Sequence, residues 1–407
     1  MFFVVIYLIL LIKVTSNYYV NHSLFFTIYS VLIGLYILSR FLLSYFYKIE
    51  NYDESYEPTV SFVVPAKDEE DNIAETIRRF SQVNYPKEKI EVITVNDGST
   101  DNTLKEMLSI KEECEKKGVH VEVVDWKINR GKRDGMAEGV RMAKNEIIIF
   151  IDSDSFIDPD CVRHLVKYFS NPRIGAVSGH TDVHNVNDNM LTRMQALRYY
   201  VAFKIYKAAE SIFGSVTCCP GCCSAYRKSY IDPILDSWLN QKFLGVKCTF
   251  GDDRSLTNFV IRKYEAIYSP QAVAYTVVPN TMKKYVKQQQ RWKKSWIRET
   301  FIACTFMWKK NILASLSFYS YMFLAFAAPF VFLRAMVYVP FKMHYLPWAY
   351  LVGLALMLVL HGIYYRNHVK GQPWFLPVIT FWFYTIMLMW QLPWAFVTMN
   401  DTRWGTR

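Results

Sequence analysis

Three short charged motifs and one aromatic motif carry residue types able to do chemistry. Asp152-Ser153-Asp154 follows an apolar run, Ile147-Ile148-Ile149-Phe150-Ile151. Two carboxylates one residue apart are ionised at neutral pH and suit Mg²⁺ or Mn²⁺, ions that take one or two carboxylates and complete their shell with substrate phosphates. Surface loops supply such pairs constantly; the buried strand ahead of this one gives it meaning. Asn129-Arg130-Gly131-Lys132-Arg133 clusters cations beside a glycine. Lys132 and Arg133 there can clamp a diphosphate, although the same composition also makes a solvated loop. Gly251-Asp252-Asp253-Arg254 is a second acidic pair. If the first pair holds metal, a carboxylate here can serve as general base toward an acceptor hydroxyl within hydrogen-bond reach. Gln288-Gln289-Gln290-Arg291-Trp292 joins amides, a fork-shaped cation suited to phosphate and an indole suited to stacking under a sugar ring. Alone it reads equally well as part of a membrane-surface helix.

Four of the eight cysteines lie in Cys218-Cys219-Pro220-Gly221-Cys222-Cys223. The C-x-x-C spacing resembles a metal site, but no second C-x-x-C or His pair completes a tetrahedral set. The reading is therefore small apolar thiols lining a buried loop, in a compartment that disfavours disulfides.

The acidic motifs need elements that hold them at one place. Residues 59–65, 90–95, 119–124 and 146–151 read as short apolar strands, and 71–80 as a helix with Asn72 near its start. Strands alternating with helical segments predict a parallel, Rossmann-like α/β sheet, where ligands bind beyond the carboxyl ends of the strands. Asp97 and Asp152 sit at such ends.

The chain as a whole is not purely soluble. Its 407 residues are 52% hydrophobic and only 20% charged, against about 25% charged for soluble domains. Collagen-like, disulfide-scaffold and disordered classes are excluded by the same figures. Apolar runs concentrate at both ends: 1–12, continued weakly to 20, then 24–46, and later 313–340, 346–365 and 375–399. The second, at 1.5 Å per residue, is about 34 Å long and spans a hydrocarbon core of about 30 Å. Flanking charges (Arg40, Lys48, Lys309, Lys310, Arg366, Lys370) are mostly basic, which puts residues 48–280 on the cytoplasmic side of a cell membrane crossed several times. Segments 190–213 and 285–310 alternate basic with aromatic and aliphatic residues, a pattern for helices lying flat on a bilayer. The net charge of +11 is spread over these flanks and the diphosphate-clamp cations. It forms no single stripe, so nucleic acid is not a partner.

Taken in order, VVPAKDEE, VNDGSTD, NRGKRDG, DSD, SGH, the Cys-rich loop before SAYR, GDDRSLTN and QQQRW resemble the membrane-integrated, processive family-2 glycosyltransferases, hyaluronan synthases above all. The resemblance covers nearly the whole chain; FLGVKCTFGDDRSLTN, QQQRWKKSWIRE and the terminal WGTR are its most specific pieces. It implies a GT-A fold docked on a transmembrane channel, an inverting hexosyl transfer from UDP-sugars with Mg²⁺ or Mn²⁺, and secretion of the polymer through the enzyme itself. A monomer suffices for such a channel. By position, Asp97 looks like the carboxylate that holds uracil, near Ala66 and Asp68. Lys132 looks like the diphosphate cation, and Asp152 and Asp154 like the metal motif with Asp154 nearest the ion. Asp253 looks like the base, supported by Asp252. Gln288, Arg291 and Trp292 look like the motif over donor and acceptor, and the tail with Trp404 and Arg407 like one that reaches back to the site. A cytoplasmic tail conflicts with three full C-terminal crossings, so 375–399, with Pro377 and Pro393, is expected to be re-entrant or kinked. The implied organisation is 1–47 two spans, 48–280 catalytic domain, 281–310 interfacial helix, 311–399 channel region and 400–407 tail. Pro220-Gly221-Cys222-Cys223 departs from many hyaluronan synthases and stands closer to chitin synthases. The donors are thus UDP-GlcNAc with UDP-glucuronate, or UDP-GlcNAc alone for a chitin-like product. A glycosyltransferase acting on a lipid carrier is a further alternative.

Overall fold

The structure, a computed structural model, describes residues 24–48, 52–369, 373, 375–384 and 388–401, together with Tyr7 and Leu11. The first apolar run and the tail carrying Trp404 and Arg407 fall outside the described residues.

Among the described residues ten strands form: β1 Val60–Ala66, β2 Ile90–Asp97, β3 His120–Trp126, β4 Ile147–Phe150, β5 Ser155–Ile157, β6 Ile174–Val183, β7 Ser224–Arg227, β8 Lys242–Phe243, β9 Val246–Lys247 and β10 Glu265–Thr276. Eight make one sheet in the order β3-β2-β1-β4-β7-β6-β10-β5, and β8–β9 are a separate hairpin. The four strands expected from the sequence form its parallel half. The other half departs from the expected parallel sheet. There β7 runs antiparallel to both β4 and β6, and β5 antiparallel to β10. The sheet is therefore mixed.

Strand alternation divides the core. Val60, Phe62 and Val64 face the helices Ile73–Gln82 and Thr103–Lys116, while Val63 faces Lys132–Met142. Phe62 and Phe80 stack with centroids 4.1 Å apart. On the opposite face Gly139 lets its helix approach β1, since a Cβ there would run into the Val63 side chain. Both contacts are side-chain packing at period 2 against period 3.6.

Leu24–Phe46 and Ile312–Met343, with mean hydropathies of 1.8 and 1.9, are long and apolar enough to cross a membrane. A further apolar helix covers Trp348–His368. Within the stretch 375–399 the described residues include the helices Leu376–Trp382 and Gln391–Val397.

The two segments with interfacial character are both helical. Met190–Val201 continues through a π-helical turn, Ala202–Lys207, into Ala208–Ser211. It ties the catalytic domain to the apolar helices through Ile205, buried against Leu38, Phe41, Met357 and Leu360. Met282–Cys304 keeps Lys283, Lys284 and Lys287 exposed but buries Gln289, Lys294, Ser295, Arg298, Glu299 and Thr300. Its inner face is thus polar, with partners in the sheet domain for Glu299 (Gln241 and Asn258), in the helix Met190–Val201 for Gln289 and at Asp401 for Lys294.

Candidate active site

The carboxyl ends of β1 to β4 gather the nucleotide-side candidates. Ala66 ends β1 opposite Asn96 of β2. Asp97, last residue of β2, accepts the Arg130 N–H at 2.6 Å and the Gly131 N–H at 3.0 Å. Burial pushes its pKa above the ordinary carboxylate value, and those amides oppose the shift. Asp97 therefore anchors the Asn129–Arg133 loop. Asp68 adopts φ +52° and accepts the Thr100 N–H at 2.8 Å. That amide is the main reason its pKa lies below the usual range. Gly98 is held at φ +64° with the Asn129 backbone 2.6 Å from where a Cβ would stand, so only glycine fits.

Lys132 opens the helix Lys132–Met142 and forms an ion pair with Asp152 just past β4. Burial works against its charge, but Asp152, Asp252 and Asp154 outweigh it and hold its pKa above the ordinary lysine value. Asp154 lies beside this pair. Burial, with the Asp152 charge second, pushes its carboxyl up to about 6. Gly221 approaches from the Cys-rich loop, and a Cβ there would sit 2.7 Å from Asp152 Oδ1. Two hard, mutually repelling oxygen ligands against a bare glycine backbone fit Mg²⁺ or Mn²⁺. Among the described residues no cluster of three or more His, Cys, Asp or Glu could enclose an ion, so an ion here would draw the rest of its shell from phosphate and water.

Asp252 and Asp253 begin the helix Asp252–Ile261 and point different ways. Asp253 Oδ2 accepts a weak hydrogen bond from Cys218 Sγ at 3.4 Å. Burial and the Asp253 charge keep that thiol protonated by raising its pKa. Asp252 is buried and takes Arg133 Nε at 2.8 Å, with side-chain exposures of 5% and 3%. Arg133 also donates to Trp238 O and Gln241 Oε1, both at 3.2 Å, and lies 5.0 Å over the Trp238 ring. This corrects the expected placement of Arg133 in the cationic clamp. It follows Lys132 in a helix, so it points about 100° away, into the domain. Asp252 likewise turns into the domain, where it pairs with Arg133.

Arg291 joins the two acidic motifs electrostatically. Burial lowers its pKa, while Asp252, Asp253, Asp152 and Asp154 all oppose that shift. Trp292 stays 36% exposed with its ring 6.4 Å from Tyr199, leaving an indole face for a ligand. Gln288 Oε1 is buried without a hydrogen-bond partner among the described residues, a polar atom that a bound sugar can satisfy.

The Cys-rich loop lies against both motifs. Cys222 Sγ is 3.1 Å from Thr181 Oγ1, and Cys223 Sγ is 3.6 Å from Cys161 Sγ. Tyr199 is half-buried near Cys222, Asp154 and Asp152; desolvation first, then those neighbours, raise its pKa. The sequence offered no signal for Tyr199, one of many aromatics in an amphipathic helix. Arg254 follows Asp253 and lines a narrow cleft of about 30 Å³ with Glu210, Thr217, Trp296, Ser317, Tyr36 and Tyr321. The cleft lies between the catalytic domain and the two longest apolar helices.

Comparison with known proteins fits this geometry. A family model described as glycosyl transferase family 2 matches residues 61–235. A hyaluronan synthase of Streptococcus pyogenes is 32% identical over 293 residues, covering 70% of this chain and 69% of that protein. An N-acetylglucosaminyltransferase of Azorhizobium caulinodans is 34% identical over 263 residues, 64% of this chain and 65% of that one. A mannosyltransferase of Pyrobaculum calidifontis, solved in complex with GDP-Man and Mn²⁺, superposes with a TM-score of 0.61 at 20% identity, covering 92% of this chain and 99% of that one; what it shares is the GT-A fold. The mixed sheet with its acidic strand ends, and a relationship spanning more than two thirds of a full synthase, place the chain in the family-2 glycosyltransferases, among the hyaluronan synthase-like members.

Proposed function

We propose that the chain is a processive membrane synthase that polymerises UDP-GlcNAc and UDP-glucuronate into hyaluronan and passes the product through its own apolar helices. The observation that carries this reading is continuity. Arg254, the neighbour of Asp253, lines the aromatic cleft at the apolar helices, so the proposed acceptor end adjoins that cleft. Stacked and edge-to-face rings there (Tyr36–Tyr321 at 5.9 Å, Trp296–Tyr321 at 5.7 Å) supply aromatic surface that suits sugar rings.

In the proposed reaction Asp97, with Ala66 and Asp68, holds the uridine end, and Lys132 neutralises the diphosphate. Asp152 and Asp154 would hold Mg²⁺ or Mn²⁺, which when bound lowers the charge of the departing UDP. Asp253 accepts the proton of the acceptor hydroxyl as its oxygen attacks the anomeric carbon. The bond from that carbon to the UDP oxygen breaks, with inversion. Gln288, Arg291 and Trp292 close over the reacting sugars, the indole supporting the acceptor ring. Positioning and fixed charges supply most of the rate in such a transfer. Trp404 and Arg407 belong to the tail that follows Asp401, whose side chain lies 3.4 Å from Lys294 on the same helix. The catalytic domain is read as cytoplasmic, in a multi-pass protein of the cell membrane.

The second reading, a chitin-type or chito-oligosaccharide synthase, is favoured by the N-acetylglucosaminyltransferase relatives and by Cys222 in the acceptor-side loop. Purified protein given each labelled donor alone and both together separates the two. Hyaluronidase-sensitive polymer only with both donors supports hyaluronan; chitinase-sensitive product from UDP-GlcNAc alone overturns it, and a short product extractable into organic solvent points to a lipid carrier.

A further inference from the structure

One buried polar network joins the three segments that carry the site, and the reaction as proposed makes no direct use of it. Arg133 is bonded to Asp252 and to Gln241 Oε1, as described above. The Ser255 hydroxyl also donates to Gln241 Oε1. On its other side Gln241 Nε2 donates to both oxygens of Glu299, at 3.2 and 3.3 Å. Glu299 takes Arg298 Nε at 2.9 Å, and Asn258 Nδ2 donates to its side chain at 3.1 Å and its carbonyl at 3.0 Å. Arg298 reaches back to the Phe250 carbonyl, ahead of the Gly-Asp-Asp turn. None of these residues is more than 8% exposed. Two guanidinium and two carboxylate groups balance, so the network carries no net charge.

Its geometry is one of neighbours. Arg133 is next to Lys132 and Asp252 next to Asp253. Glu299 lies two helical turns after Trp292. In each segment one side chain faces the site and a nearby one faces the network. An apolar core of the same volume would hold the segments together at least as firmly. What the amide of Gln241 adds is direction, because its oxygen must meet Arg133 and its nitrogen must meet Glu299.

We propose that Gln241 and Glu299 are positioning residues for glycosyl transfer, fixing Lys132, Asp253 and the Arg291–Trp292 pair at their mutual spacing. The proposal rests on the reading of Asp253 as base. Since small misplacements of reacting groups can cost about a hundredfold, the effect is expected in kcat and not in donor affinity.

The test uses the full chain in detergent or nanodiscs. Gln241→Met keeps volume and breaks the relay; Gln241→Glu sets two buried carboxylates face to face; Gln241→Glu/Glu299→Gln reverses the polarity and restores neutrality. Gln241→Met is expected to lower kcat at least about fivefold with the KM for UDP-GlcNAc unchanged within about threefold, and UDP binding by calorimetry intact. The swapped pair is expected to recover activity lost in Gln241→Glu. A smaller kcat loss in Gln241→Met, a KM that rises in proportion, or a swapped pair no more active than Gln241→Glu overturns the proposal. If Gln241→Glu does not fold, the kcat–KM split in Gln241→Met and Glu299→Gln decides. Asp253→Asn run in parallel keeps the readings apart, since activity retained there removes the base assignment and not the network.

Discussion

The Arg133–Asp252 pair gives the sharpest stability prediction. Both side chains are almost fully buried, and Arg133 also covers Trp238. Arg133→Met leaves the Asp252 carboxylate buried and uncompensated, which costs about 3–5 kcal/mol. For a catalytic domain of roughly 230 residues, at about 2–4 °C per kcal/mol, the thermal midpoint should fall by roughly 6–20 °C. The control is Arg141, paired with Asp236 at 2.8 Å but 47% and 83% exposed. Arg141→Gln should cost less than about 1 kcal/mol. Replacing both members, Arg133→Met/Asp252→Leu, should recover much of the loss, because burying two apolar groups avoids desolvating two charges. Intrinsic fluorescence followed through thermal unfolding, at one fixed scan rate, reads all four proteins. The reasoning is refuted if Arg133→Met shifts the midpoint no further than Arg141→Gln, or if the double variant is no more stable than Arg133→Met.

Asp253→Asn should lower polymer synthesis by about 10²–10⁴-fold while UDP still binds, as expected for loss of a general base; full activity would remove it from that role. Asp154, with its pKa raised to about 6, retains in the metal-free folded state a proton that an unfolded carboxyl releases above about 4. Its contribution therefore turns unfavourable as pH rises through that window, and a divalent cation relieves the cost. Mn²⁺ should accordingly raise the thermal midpoint more at pH 7.5 than at pH 5, and Asp154→Asn should erase that difference. Gly221→Ala would place a methyl group 2.7 Å from Asp152 Oδ1, so its activity should need more divalent cation for half-saturation; an unchanged requirement would show that the loop yields. Trp292→Ala should shorten the polymer more than it slows the first transfer, measured by gel sizing against UDP release.

The sequence by itself determined the parallel half of the sheet, because its strands are short apolar runs that end in acidic residues. It determined Asp97, Lys132, Asp152, Asp154 and Asp253 as candidates, because their motifs occur in a fixed order. It also determined the apolar helices, since length and composition suffice for that. Tertiary structure alone decided that Arg133 and Asp252 pair with each other inside the domain. Each follows or precedes its charged neighbour in a helix, and helical rotation sends the two side chains different ways. The mixed half of the sheet was equally hidden, since β5, β7 and the hairpin are too short for periodicity to reveal. Tyr199, Gln241 and Glu299 were invisible for another reason. Their importance lies in partners up to about a hundred residues away, and pairings at that separation are set by the folded chain and not by local pattern.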